Sequence, residues 1–165
     1  MNLPLHPIVV HFPIALAVLV PLLALGVLFA LARCQWPEKA WHLVLAAQAL
    51  LFVSSIVAMK SGEKDEGKVG KYVQAKNLHD HEEWGEKMPI VTGAVLVLCA
   101  LPLFLPRRRK LLLNIAVAAS VLGAIPAILT GHSGGKLVYQ DGATDAHRAI
   151  PTINELLQGL DSGHE

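Results

Sequence analysis

Charge is scarce in this chain, and where it is missing decides most of what can be said. Only 16% of the 165 residues are charged and 5% aromatic, against 53% hydrophobic. Four long stretches hold no Asp, Glu, Lys or Arg at all: about residues 7–32, 41–59, 88–105 and 111–131. Cysteine is nearly absent as well. The two present, Cys34 and Cys99, form no Cys-x-x-Cys-His motif, so covalent c-type haem attachment is excluded. They fall too far apart along the expected bundle to pair and read as free thiols. The sequence also lacks a glycine-rich phosphate loop, a nucleophile motif, long repeats and low-complexity tracts. No ionisable side chain falls at mid-span, which argues against an ion or proton pathway.

What remains is membrane-spanning material. A hydrocarbon core about 30 Å thick is crossed by roughly 20 apolar helical residues, and four segments qualify: 7–32, 41–59, 84–105 and 111–131. Helices apolar all round cannot be covered by the polar remainder of so short a soluble protein. The fold expected is therefore all-α, a polytopic four-helix membrane bundle over residues 1–132 with an extramembrane tail over 133–165. The first span is not read as a cleaved signal, because Met1 to Val10 contain no Lys or Arg. In the tail, Gly134 to Tyr139 reads as an extended run. Pro151 then opens a short amphipathic C-terminal helix with Ile153, Leu156, Leu157 and Leu160 on one stripe.

Short loops set the orientation. Arg33, Lys39 and the run Arg107-Arg108-Arg109-Lys110 flank the first and third connections with Glu38 as the only acid. The longer stretch from Lys60 to Lys87 is balanced in sign. The positive-inside rule then puts the basic loops in the cytoplasm and both termini outside, in the periplasm if the membrane is a bacterial inner membrane. The basic run is a topology anchor rather than a nucleic-acid surface. Packing should run through small residues: Ala116, Ser120 and Ala124 beside Ala119, Gly123 and Ala127 in the fourth span, and Ala47, Ser54 and Ala58 in the second. Pro126 should bend the fourth span by freeing the Leu122 carbonyl. Gln48 and Asn114 are amides inside apolar spans and need hydrogen-bond partners; helix-to-helix or helix-to-backbone bonds are the simpler expectation, a quinone or substrate the other.

Histidine is the residue that stands out. Of eight, His6, His11, His79, His81, His132, His147 and His164 fall on the outer side of this topology, and only His42 falls at the opposite edge. Imidazole is a common ligand of metals and haem iron. His11 opens the first span, His81 precedes the third and His132 closes the fourth, so three helices bring imidazole to one depth. Of His79 and His81, at most one should point inward. Gly131, Gly134 and Gly135 would let a flat ring lie against backbone. Non-covalent haem b is the leading expectation, with His11 and His81 as axial ligands and His132 and His6 in reserve. A transition metal such as copper or zinc, held with the help of Glu82 and Glu83, is a second; interface histidines that bind no cofactor are the plainest.

Three segments carry a family resemblance: Leu5-His6-Pro7-Ile8-Val9-Val10-His11-Phe12-Pro13-Ile14-Ala15-Leu16, His81-Glu82-Glu83, and Gly131-His132-Ser133-Gly134-Gly135-Lys136-Leu137-Val138-Tyr139. Over about residues 5 to 142 the chain resembles a bacterial membrane-protein family known as domain of unknown function 2231. The resemblance implies a four-helix inner-membrane protein with no established enzymatic activity. Relatives that join the domain to Rieske-type or cytochrome c modules imply respiratory electron transfer. By position it carries over His11 and His81, while His132 stands where the family often has an aromatic residue. The expected role is an electron-transfer subunit rather than a stand-alone enzyme, with lipid, a quinone or a periplasmic or membrane redox protein as partner. The alternative is a cofactor-free structural anchor of a larger respiratory complex.

Overall fold

In the computed structural model, which describes residues 6–147, the chain folds as four helical rods. The first joins α1 (His6–Val9) to α2 (His11–Arg33); Pro13 has no N–H for the Val9 carbonyl, and the rod breaks at Val10. α3 (Trp41–Val69) and α4 (Ala75–Phe104) are single long helices, and the fourth rod is α5 (Arg109–Leu122) followed by α6 (Ile125–Tyr139). All four rods are long and apolar enough to cross a membrane. Each packs on the next, and the fourth closes on the first, so the bundle is a ring of four. The expected C-terminal amphipathic helix and His164 lie outside the described residues.

Burial follows the membrane pattern. On α2 the inward stripe is Pro13, Ala17, Val20, Pro21, Ala24, Val27 and Ala30, at helical spacing of three and four. Leu22 and Phe29 on the same helix are 59% and 63% exposed, while Ala24 is 1% exposed. Small side chains inside and large apolar ones outside reverse the order of a water-soluble core. Lipid solvates Leu and Phe as well as a core would, so close backbone approach decides what faces inward. The small-residue rows behave as expected: Ala116, Ser120, Ala127, Ser54 and Ala58 are buried. Gly123 packs so closely that a Cβ there would stand 3.1 Å from Val95 Cγ2.

Polar groups within the rods are tied mostly to backbone. Trp41 Nε1–H donates to the Cys99 carbonyl at 2.8 Å, and Gln48 Nε2–H to the Thr92 carbonyl at 2.9 Å. Gln48 thus takes the helix-to-backbone bond expected of it, although its Oε1 is buried without a partner. Cys34 and Cys99 are both free thiols.

Two expectations about the helix ends need correction. The second connection reads as a loop near Ser61 to Lys71 that turns helical towards Trp84; the helical part is present as the start of α4, whereas α3 runs on through Val69 and leaves only residues 70–74 to turn. Gly134 to Tyr139 is not extended; α6 continues through it, with Ser133 and Leu137 buried against the bundle. A domain boundary at residue 132 therefore falls inside a helix. The bend near Pro126 is present as a break at Gly123-Ala124, with Pro126 seated in the first turn of α6.

Candidate functional site

At the end of the bundle away from the basic loops, two imidazoles meet. His6 stands in the turn before α2 and His81 in the second turn of α4; their ring centroids are 6.1 Å apart with planes at 77°, edge towards face. Both are partly buried.

Each ring is held by the helix that follows its own rod, and in the same way. His6 Nδ1 lies 3.1 Å from the Ala58 carbonyl and 2.9 Å from Ser61 Oγ. His81 Nδ1 lies 3.2 Å from the Thr130 carbonyl and 3.1 Å from Ser133 Oγ. The serine hydroxyls donate to those same carbonyls, at 2.7 and 3.0 Å. With the hydroxyl proton already committed, only a protonated Nδ1 satisfies both oxygens, so Nδ1–H is the donor in each ring. A neutral imidazole has one N–H, and Nε2 is therefore left as a bare lone pair. This is the arrangement that fixes the tautomer of a metal-ligating histidine, with a backbone carbonyl behind it.

The residue after each serine completes the pattern. A Cβ on Gly62 would stand 3.0 Å from His6 Cε1, and one on Gly134 would stand 3.1 Å from His81 Cε1. Carbonyl, serine three residues on and glycine after it recur as Ala58, Ser61, Gly62 and as Thr130, Ser133, Gly134. The histidine precedes its serine by 55 residues in the first case and 52 in the second. Two helical hairpins thus present equivalent histidines at their shared end. The sequence shows no long repeat, yet the local arrangement occurs twice; the available trace was Ser61-Gly62-Glu63-Lys64 against Ser133-Gly134-Gly135-Lys136.

The other histidines lie apart from the pair. His11 is exposed, with Nδ1 2.6 Å from the Pro7 carbonyl of its own rod. His132 and His79 are exposed, so of His79 and His81 only one faces inward. The structure therefore brings His81 together with His6, one of the two residues held in reserve, rather than with His11. Gly134 touches an imidazole, whereas a Cβ on Gly131 or Gly135 would meet nothing closer than Ile14 Cδ1 at 3.9 Å.

Acidic side chains play little part in positioning the pair. Glu83 is bonded to Lys87 at 2.6 Å, and Glu82 Oε1 is buried without a hydrogen-bond partner. Among the described residues no three or more His, Cys, Asp or Glu side chains gather as a metal-binding group. What the site offers is two neighbouring imidazoles of fixed tautomer, one from each hairpin, on rods whose buried apolar residues include Met88, Ala17, Val20, Leu51 and Ala127.

The family model described as predicted membrane protein (DUF2231) matches residues 2–147. The chain belongs to the DUF2231 family. That match covers the whole bundle and both histidine arrangements. No match to a curated protein or to a solved structure was found.

Proposed function

We propose that this DUF2231 chain is a membrane electron-transfer subunit that holds one non-covalent haem b between His6 and His81. The observation that carries the reading is the pair itself: two imidazoles from different hairpins, each with Nδ1–H tied to a carbonyl and Nε2 left bare. The two rings lie 6.1 Å apart, close enough for one bound group to take a nitrogen from each. Bound there, the haem would supply one-electron chemistry to a quinone or redox protein at the same membrane face. His6 and His81 would be the ligands, and Ser61, Ser133 and the two carbonyls would keep their rings from turning. The positive-inside rule makes that face periplasmic in a bacterial inner membrane, with the basic loops on the cytoplasmic side.

The test is a dithionite-reduced minus oxidised spectrum of the purified protein in mild detergent, with metal analysis on the same sample. A b-type α-band with stoichiometric iron, lost in His6→Ala and in His81→Ala but kept in His11→Ala, is the expected result. Retention of the band in both of the first two variants refutes the ligand pair. A flat spectrum with no metal, from cells well supplied with haem, refutes the cofactor.

A second reading has its own support. Each imidazole already clasps two rods, His6 to α3 and His81 to α6. A cofactor-free structural subunit of a larger membrane complex needs nothing more of them. Stoichiometric copper or zinc in place of iron would select the transition-metal alternative.

A further inference from the structure

We propose that the groove at the basic end of the bundle is a binding site for the phosphate headgroup of an anionic phospholipid. It lies far from the histidine pair and does not depend on any cofactor. The groove, about 480 Å³, is lined by Arg107, Arg108, Lys110, Leu111 and Asn114.

The four basic residues of this run do different things. Arg109 is withdrawn from the groove: its guanidinium donates to the Glu38 carboxylate and, at 3.0 Å, to the Glu38 carbonyl, clasping the third connection to the first. Arg107, Arg108 and Lys110 are exposed and make no ion pair among the described residues. Topology alone needs positive charge near the membrane; it does not need three unpaired cations converging on one groove.

Asn114 is the independent observation. It sits on the outward face of α5 between Leu111 and Ile115, which are 56% and 40% exposed to the lipid side. No side-chain hydrogen bond is made by it within the described residues. An amide facing hydrocarbon without a partner is costly. One helical turn from Lys110, it is placed to donate to a phosphate or ester oxygen whose acyl chains cover Leu111 and Ile115. A phosphate head with an apolar tail satisfies all of these groups. A free phosphate leaves the exposed leucine and isoleucine unexplained, and a nucleic acid cannot follow the groove towards hydrocarbon.

The experiment is native mass spectrometry of the full chain released from detergent after titration with phosphatidylglycerol or phosphatidylcholine. Wild type should retain phosphatidylglycerol over phosphatidylcholine by on the order of tenfold. The variant R107Q/R108Q/K110Q should lose that preference. A control, K68Q/K71Q/K76Q, removes as much exposed charge at the other end and should keep it. Asn114→Leu leaves every charge in place and should lower retention several-fold, which guards against a triple variant that fails to insert. Equal retention of the two lipids by wild type, an unchanged Asn114→Leu variant, or equal loss in the control would overturn the site. Displacement of the lipid by millimolar inorganic phosphate would overturn the assignment to lipid.

Discussion

Two adjacent glycines in α6 should respond in opposite ways to the same methyl group. An alanine Cβ at residue 134 would stand 3.1 Å from His81 Cε1 and 3.4 Å from its Nδ1, whereas at residue 135 it meets nothing within 4 Å. Carbon atoms prefer about 3.5–4.0 Å, so the imidazole must retreat by a few tenths of an ångström. It is poorly placed to do so, because its bonds to Thr130 and Ser133 are already 3.2 and 3.1 Å long. Overpacking costs about 1–3 kcal/mol and a weakened hydrogen bond up to about 1, while Gly→Ala in a helix returns about 1 kcal/mol. Gly134→Ala should therefore destabilise by about 1–2 kcal/mol and Gly135→Ala stabilise by up to about 1. The equivalent contrast in α3 is Gly62→Ala, 3.0 Å from His6 Cε1, against Gly67→Ala, which is unobstructed. Reversible unfolding in mixed detergent–dodecylsulfate micelles, followed by helical circular dichroism, measures all four. Shifts of one sign and similar size within each pair would refute the packing of imidazole on glycine, and with it the equivalence of the hairpins.

Ser61→Ala and Ser133→Ala should each cost about 0.5–1.5 kcal/mol in the same assay, since each removes one oxygen from a histidine and leaves the carbonyl in place. Gln48→Met should be nearly neutral, within about 1 kcal/mol: it gives up the 2.9 Å bond to the Thr92 carbonyl but also removes the buried, unpartnered Oε1. Trp41→Phe should be costly, about 2–4 kcal/mol, because a fully buried side chain loses both its bond to the Cys99 carbonyl and part of its volume.

The spans were legible because a charged side chain is excluded from hydrocarbon whatever its neighbours do, so a missing residue type marked them directly. Helix ends were harder to read, and for an identifiable reason. Hydropathy reports where lipid gives way to water, not where a helix stops. Glu63, Lys64, Asp65 and Glu66 look like a loop, yet they extend α3 because an existing helix propagates easily once nucleated. Gly134 and Gly135 looked like a break for the opposite reason. Their low helix propensity is real, but Gly134 is covered by an imidazole from α4 and the flanking Ser133 and Leu137 are buried, so tertiary packing outweighs about 1 kcal/mol per glycine.

The histidine pair shows where reading along the chain runs out. His11 looked the better partner for His81 because it begins the apolar run, but its five-residue separation from His6, across the break at Val10, puts the two on different sides of the first rod. Position along the membrane normal was legible, and rotation about it was not. The rotation could have been recovered from the other ends of the hairpins. A serine followed by glycine near the end of the second rod and again in the fourth marks a place where a ring from the preceding rod can sit. If the first hairpin clasps a histidine there, the second should clasp an equivalent one, and in the structure these are His6 and His81, 55 and 52 residues before their serines. That recurrence also bears on cofactor against clasp. A clasp alone would need only Nδ1 of each ring, and nothing in it requires the two clasped rings to face one another. The two rings nevertheless meet at 6.1 Å, edge towards face, a contact that the two ties by themselves do not require.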